Sequence, residues 1–225
     1  MTNLKFTDLG LKETLVKAID DLGFITPSPI QAEAIPVALE GIDIIGQAQT
    51  GTGKTAAFGL PLINNLTVKN AIGSIILAPT RELAIQVHDE LVKLTKYEKL
   101  NIVAVYGGSP IHIQARDLKK ANIVVGTPGR VLDHIRRGNL PLSCVEFLVL
   151  DEADEMLNMG FIDDMEEIMK SIPEERQTLL FSATMPAQIK KLTKKYLKED
   201  SVHIVIARKE LTGSTITQNF FEVNN

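Results

Sequence analysis

Short runs of β-branched and other apolar residues recur along the chain at 42–46, 74–77, 102–106, 123–126, 147–150, 178–181 and 202–206. Runs such as FLVL at 147–150 show no polar alternation. That is the pattern of strands buried on both faces, as in parallel sheets. Amphipathic stretches of helical length lie between them, near 54–65, 81–95, 109–118, 129–136, 161–171 and 187–197. Strand alternating with helix predicts a doubly wound α/β domain, with a mostly parallel sheet, helices on both faces and right-handed crossovers. The first 40 residues carry helix signals and no strand, so 1–40 reads as a cap region on a main domain spanning 41–207. Residues 208–225 are polar, then strand-like at TQNFFEV with nothing after it to pair with, which suggests the start of a linker at a domain boundary.

Composition narrows the class. At 225 residues, 44% hydrophobic and 23% charged, the chain fits one large globular domain. No internal repeat or low-complexity tract is visible. A net charge of −4 is no general footprint of a nucleic-acid binder, so any polyanion contact must come from local geometry. The one cysteine, Cys144, excludes an intrachain disulfide, suits a reducing compartment and is expected to be a small buried hydrophobe. His88, His112, His134 and His203 have no paired ligand spacing, which argues against a zinc-type cluster. The first residues lack the order of a signal peptide, and no apolar run nears the ~18 residues of a membrane span. A soluble, cytoplasmic protein is expected.

The chemistry starts at Gly46–Thr55, GQAQTGTGKT, between an apolar run and a helical stretch. It nearly spells the phosphate loop G-x-x-x-x-G-K-[ST], with Ala48 in place of the first glycine. Gly51 and Gly53 permit the φ values that turn consecutive N–H groups toward an anion, and the helix N-terminus adds partial positive charge. Lys54 would reach the β- and γ-phosphates, and Thr55 would offer its hydroxyl to Mg²⁺. Ala48 costs little there, because the position needs a small residue more than a positive φ. At 147–157, FLVLDEADEML places Asp151 and Glu152 at the carboxyl end of a buried strand, where open α/β sheets bind ligands. Asp151 would hold Mg²⁺, usually through water, and Glu152 would orient or deprotonate an attacking water. A plainer reading has the acids merely starting a helix.

With these residues in view, the chain resembles the DEAD-box RNA helicases. Asp151 to Asp154 spell DEAD, and AQTGTGKT, alanine first, is that family's form of the loop. GFITPSPIQ (23–31), PTREL (79–83), GG (107–108), TPGR (127–130) and SAT (182–184) follow the family's order. The likeness covers essentially the whole chain and is to the N-terminal RecA-like P-loop NTPase domain of a bacterial member.

The resemblance implies ATP and Mg²⁺ as cofactors, with Ala48, Gln49, Thr50, Gly51, Thr52, Gly53, Lys54 and Thr55 around the phosphates. It places Gln31 on the adenine edge, Phe24 stacked on the ring and Thr26 beside them. An amide can match adenine's adjacent donor and acceptor. Gln31 also completes a capping box with Ser28 ahead of Pro29, so it can serve backbone donors instead, or do both. Pro79, Thr80, Arg81, Gly107, Gly108, Thr127, Pro128, Gly129 and Arg130 are implied to hold the backbone of single-stranded RNA without reading bases. Ser182 and Thr184, near Asp154, are implied to couple hydrolysis to strand separation.

The family's enzymes use two RecA-like domains, and no second-domain signature, including the arginine finger, occurs before Asn225. Such a finger is worth roughly 10³–10⁵ in rate. The chain alone, a monomer, is expected to bind nucleotide weakly, to hydrolyse it barely and not to unwind duplexes. Alternatives are a non-catalytic, nucleotide-gated RNA clamp or scaffold, and a DNA-directed helicase. The four intact residues Lys54, Thr55, Asp151 and Glu152 disfavour the first, and the Q motif and DEAD spelling disfavour the second.

Overall fold

Seven strands run in one direction. They are β1 (Ile44–Gln47), β2 (Ser74–Leu77), β3 (Ile102–Val105), β4 (Ile123–Gly126), β5 (Phe147–Leu150), β6 (Gln177–Ser182) and β7 (Val202–Val205). In this computed structural model, which describes residues 4–68 and 70–206, they form one sheet in the order β3-β4-β2-β5-β6-β1-β7, parallel at every pairing. The expected strand-like segment TQNFFEV lies outside the described residues.

Burial on both faces explains the unbroken apolar runs. In β5, Phe147 and Val149 join one core cluster, while Leu148 and Leu150 join the other. β6 divides in the same way, with Leu179 and Phe181 on one face and Leu180 on the other. Helices α1 (Glu13–Asp21), α2 (Pro29–Leu39), α3 (Lys54–Asn65) and α4 (Arg81–Leu94) cover the first face. The opposite face is covered by α5 (Ile111–Leu118), α6 (Pro128–Arg136), α7 (Ala153–Asn158), α8 (Ile162–Ser171) and α9 (Ala187–Tyr196). The N-terminal segment does not sit apart. Phe6, Leu15, Ile19, Ile30 and Ile35 share one cluster with Phe58 of α3.

Two local expectations change. β1 begins at Ile44 because Asp43, 1% exposed, turns its carboxylate into the structure. It accepts from the Thr178 amide (2.8 Å) and the Lys198 amide (2.9 Å), tying the start of β1 to β6 and to the approach to β7. Cys144 is exposed, not buried. In the connection from α6 to β5 its neighbours Leu140, Leu142 and Val145 face the core, so the thiol is turned outward.

Every crossover returns a helix from the carboxyl end of a strand, so six motif-bearing loops line one edge of the sheet. Gly126, the last residue of β4, shows how tightly this edge is packed. A Cβ there would lie 2.6 Å from the Val105 carbonyl oxygen, the Val105 Cγ2 and the Val131 Cγ2. Because the backbone of β3 cannot give way, Gly126→Ala is expected to cost about 1–3 kcal/mol in denaturant unfolding.

Candidate functional site

The phosphate loop joins β1 to α3. Gly51 (φ 80°) and Gly53 (φ 92°) are both left-handed, whereas Ala48 has no positive φ and is buried, its amide donating to the Ser182 carbonyl at 3.1 Å. The small residue suffices, as expected. Within the loop, the Thr52 hydroxyl donates to the Gln49 carbonyl at 2.7 Å, which keeps the turn tight. Lys54 and Thr55 open α3.

The next-but-one strand brings the acids to this loop. β5 and β1 flank β6, and Asp151 and Glu152 follow β5 directly. Lys54 Nζ lies 3.0 Å from Glu152 Oε1 and 3.7 Å from Asp151 Oδ1. The Thr50 hydroxyl donates to the same Glu152 oxygen at 2.6 Å. Glu152 is the one described residue other than glycine with a positive φ (54°). A side chain in that region costs on the order of 1–3 kcal/mol, which the lysine and threonine contacts help offset. Burial drives the Asp151 carboxyl up to about 6; Lys54 pulls it down and Glu152 pushes it further up.

Asp151 Oδ1 is buried and accepts no hydrogen bond in the protein, although Lys54 stands near. An orphaned carboxylate oxygen beside the Thr55 turn fits a hard dication. Among the described residues no three His, Cys, Asp or Glu side chains converge on one point. A dication here would therefore take most of its ligands from phosphate and water, the habit of Mg²⁺.

Gln31 performs the plainer of its two expected tasks. Its Oε1 accepts from the Ser28 amide (2.9 Å), and its Nε2 donates to the Gly53 carbonyl (3.1 Å). The Ser28 hydroxyl donates to the Thr52 carbonyl (2.7 Å), so the start of α2 holds the phosphate loop at two successive carbonyls. Beside it, Phe24, Gln31, Gly53, Ala56 and Lys93 line a cavity of about 220 Å³. Phe24 is 42% exposed and stacks on Phe6, while Thr26 is exposed.

Asp154 knots α7 to the end of β6. Its carboxylate accepts from the Thr184 amide and hydroxyl, both at 2.8 Å, and the Ser182 hydroxyl accepts from the Asp154 amide at 3.3 Å. Burial raises this carboxyl, but the hydrogen bonds from Thr184 and Ser182 outweigh it and hold Asp154 below the usual range.

The remaining motifs cluster on the other half of the edge, after β2, β4 and β3. Thr80 caps α4, accepting from the Leu83 amide at 3.2 Å, and Pro79 precedes it. Arg81 is exposed and lies 4.8 Å over the Tyr106 ring, next to Gly107 and Gly108 (φ 79°). Thr127 and Pro128 start α6, followed by Gly129. Arg130 turns partly inward: its Nη1 donates to the Ser109 carbonyl (2.8 Å) and to Gln114 Oε1 (2.9 Å). Buried His134 lies 3.0 Å from that same oxygen, and Gln114 Nε2 donates to the Tyr106 carbonyl at 3.1 Å. Since Gln114 Oε1 can only accept, His134 carries its proton on Nε2. Burial first, then the charge of Arg130, holds His134 below its usual range.

A family model described as "DEAD/DEAH box helicase" matches residues 28–192. The chain belongs to the DEAD/DEAH box helicase family. It is 56% identical over 222 residues to the ATP-dependent RNA helicase CshA of Listeria monocytogenes, covering 98% of this chain and 42% of that protein. Against the DEAD-box ATP-dependent RNA helicase CshA of Bacillus subtilis, identity is 52% and coverage 98% and 45%. The chain thus spans less than half the length of these curated relatives. A crystal structure of a DEAD box protein from Methanococcus jannaschii superposes with a TM-score of 0.87 at 50% identity, over 89% of this chain and 55% of that one. The fold is the α/β RecA-like fold.

Sequence reading did not single out several residues that line these loops. From α4, Leu83, Gln86 and Glu90 line the phosphate-loop cavity with Asp151 and Glu152. Their helical spacing after PTREL was the available signal. Nothing local announced Gln114 and His134, which meet only through the packing of α5 on α6.

Asp151 holds its proton more tightly folded than unfolded, so its contribution to stability is full below about pH 4, is lost as the pH rises to about 6, and leaves a buried charge that costs stability above that. Asp151→Asn is expected to raise the melting temperature above about pH 7, by roughly 2–8 °C, with the gain shrinking below about pH 6 and vanishing below about pH 4. Thermal melts across that range check it; a loss of stability at neutral pH would contradict the burial argument.

Proposed function

We propose that this chain is the ATP- and RNA-binding first domain of a cytoplasmic ATP-dependent RNA helicase, completed by a second RecA-like domain. The observation that carries this is the Lys54 ammonium lying between Glu152 and the orphaned oxygen of Asp151, on a loop with two left-handed glycines. Loop amides from Gly51 to Thr55 receive the phosphates, together with the N-terminal dipole of α3. Gln31 retains one amide N–H and one lone pair beyond its two backbone bonds, enough to meet adenine's edge. Phe24 and Thr26 complete the base end.

Thr55 and Asp151 would hold Mg²⁺, which would supply charge neutralisation to the phosphates. Phosphate oxygens compete for Lys54, freeing Glu152 from that partner. Its carboxylate then accepts a proton from the attacking water. Asp154 ties this edge to Ser182 and Thr184 through several hydrogen bonds, which supports a coupling role for that tripeptide.

RNA is held at the adjacent half of the edge. The N-termini of α4 and α6 and the Gly107–Gly108 turn offer unpaired N–H groups to backbone phosphates, and Arg81 adds charge. Arg130 acts mainly by bracing the Gly107–Gly108 loop through Ser109 and Gln114. On this reading the chain by itself, without the second domain, is a weak nucleotide binder and a poor ATPase.

Glu152→Gln in the full-length protein is expected to lower RNA-stimulated ATP turnover by about 10²–10⁴ while leaving RNA binding in place. Unaltered turnover would leave a nucleotide-gated clamp as the better reading. Equal stimulation by DNA would shift the substrate.

A further inference from the structure

Five lysines occupy nine residues in a chain of net charge −4: Lys190, Lys191, Lys194, Lys195 and Lys198, with no acid among them. Helical spacing sorts them into rows. In one row, Lys195 pairs with Glu166 at 2.6 Å. The other row, Lys190 and Lys194 with Lys198 just past the helix end, enters no ion pair among the described residues. Like charges four apart disfavour a helix. A helix dipole welcomes cations only near the C-terminus, and Lys190 sits in the first half of α9. Intramolecular pairing does not account for this row, and the dipole favours only Lys194 and Lys198, at the helix C-terminus.

What it faces is an uncovered part of the sheet. β7 is the outermost strand, and His203 pairs in register with Ile45, whose side chain packs toward the α9 cluster. On that face His203 is exposed and Val205 is 56% exposed, whereas Ile204 is buried on the other. Lys190, Lys194, Lys198, His203 and Ile45 line a groove of about 470 Å³ in which Glu199 is the single acid.

We infer that this groove is a second RNA-binding surface, taking the phosphates of a single strand on the lysine row while bases rest on His203 and its apolar surroundings. Charge complementarity argues for a polyanion, and an aromatic, partly apolar floor suits unstacked bases. The surface lies four to six strand spacings from the motif loops of β2, β4 and β3, roughly 19–29 Å along the sheet. It would be reached only by a strand running well past the first site. This rests on the RNA reading above.

The test is binding of fluorescent oligoadenylates to the full-length protein carrying Lys190→Gln, Lys194→Gln and Lys198→Gln, with a non-hydrolysable ATP analogue present. An oligomer of about six nucleotides should bind within about twofold of the unmodified protein, because it fills only the first site. One of about 25 nucleotides should bind roughly 5–20-fold more weakly, with the slope of log K against log salt reduced by about 2. The corresponding triple Lys→Arg protein should bind both as before. These side chains are exposed, so folding is not at stake. Undiminished binding of the longer RNA would overturn the inference while leaving the first site intact; equal loss for both lengths would overturn it by placing these lysines in the first site. Failure of the unmodified protein to bind either length would sink both readings.

Discussion

The structure depends on one constraint: a parallel sheet buried on both faces must return its chain through a helix after nearly every strand. Every strand therefore ends at the same edge, and the loop leaving it opens toward the same solvent. Segments far apart in sequence, from the phosphate loop after β1 to Ser182 at the end of β6, become neighbours without any loop having to be long. The order β3-β4-β2-β5-β6-β1-β7 then divides that edge. Loops after β5, β6 and β1 carry acids, hydroxyls and the lysine, and loops after β3, β4 and β2 carry glycines, helix starts and arginines. We propose the first half for a nucleotide and the second for a nucleic-acid backbone.

Within the nucleotide half, electrostatics and backbone conformation are linked. Glu152 takes a left-handed conformation, turning its carboxylate to Lys54 and Thr50 while the chain enters α7. Asp151 is left buried, with its carboxyl pushed up by that burial. Three residues later, hydrogen bonds donated by the Thr184 amide and hydroxyl help hold the Asp154 carboxyl below its usual range. Two acids of one short motif thus have opposite protonation tendencies, set by burial at Asp151 and by donors after β6 at Asp154.

Most of the fold was legible from periodicity, because parallel strands write continuous apolar runs and their crossovers write amphipathic ones. The runs at 74–77, 123–126 and 147–150 coincide with β2, β4 and β5. Departures occur where a side chain replaced a backbone partner, or where burial was decided by neighbours. Asp43 delays β1 by bonding two amides, and Cys144 faces outward because Leu142 and Val145 fill the core beside it. α7 is too short for periodicity to reveal. In the site, residue types were legible where spacing encodes chemistry, as in Gly51, Gly53, Lys54 and Thr55. Their contacts were not: Gln31 bracing Gly53, and Arg130 joining Ser109 and Gln114, need distances between elements.

By itself, the sequence determined the α/β class, the phosphate loop, the paired acids and the absence of an intrachain disulfide, since each follows from local pattern or composition. Only the tertiary structure decided that Lys54 stands between Asp151 and Glu152, that one Asp151 oxygen lacks a donor, and that Arg130 turns inward. It also decided that a row of lysines faces the bare edge of β7. The physical reason is the same throughout. Local sequence sets backbone propensity and side-chain chemistry, whereas burial, charge pairing and unsatisfied donors are properties of neighbours brought in by the sheet.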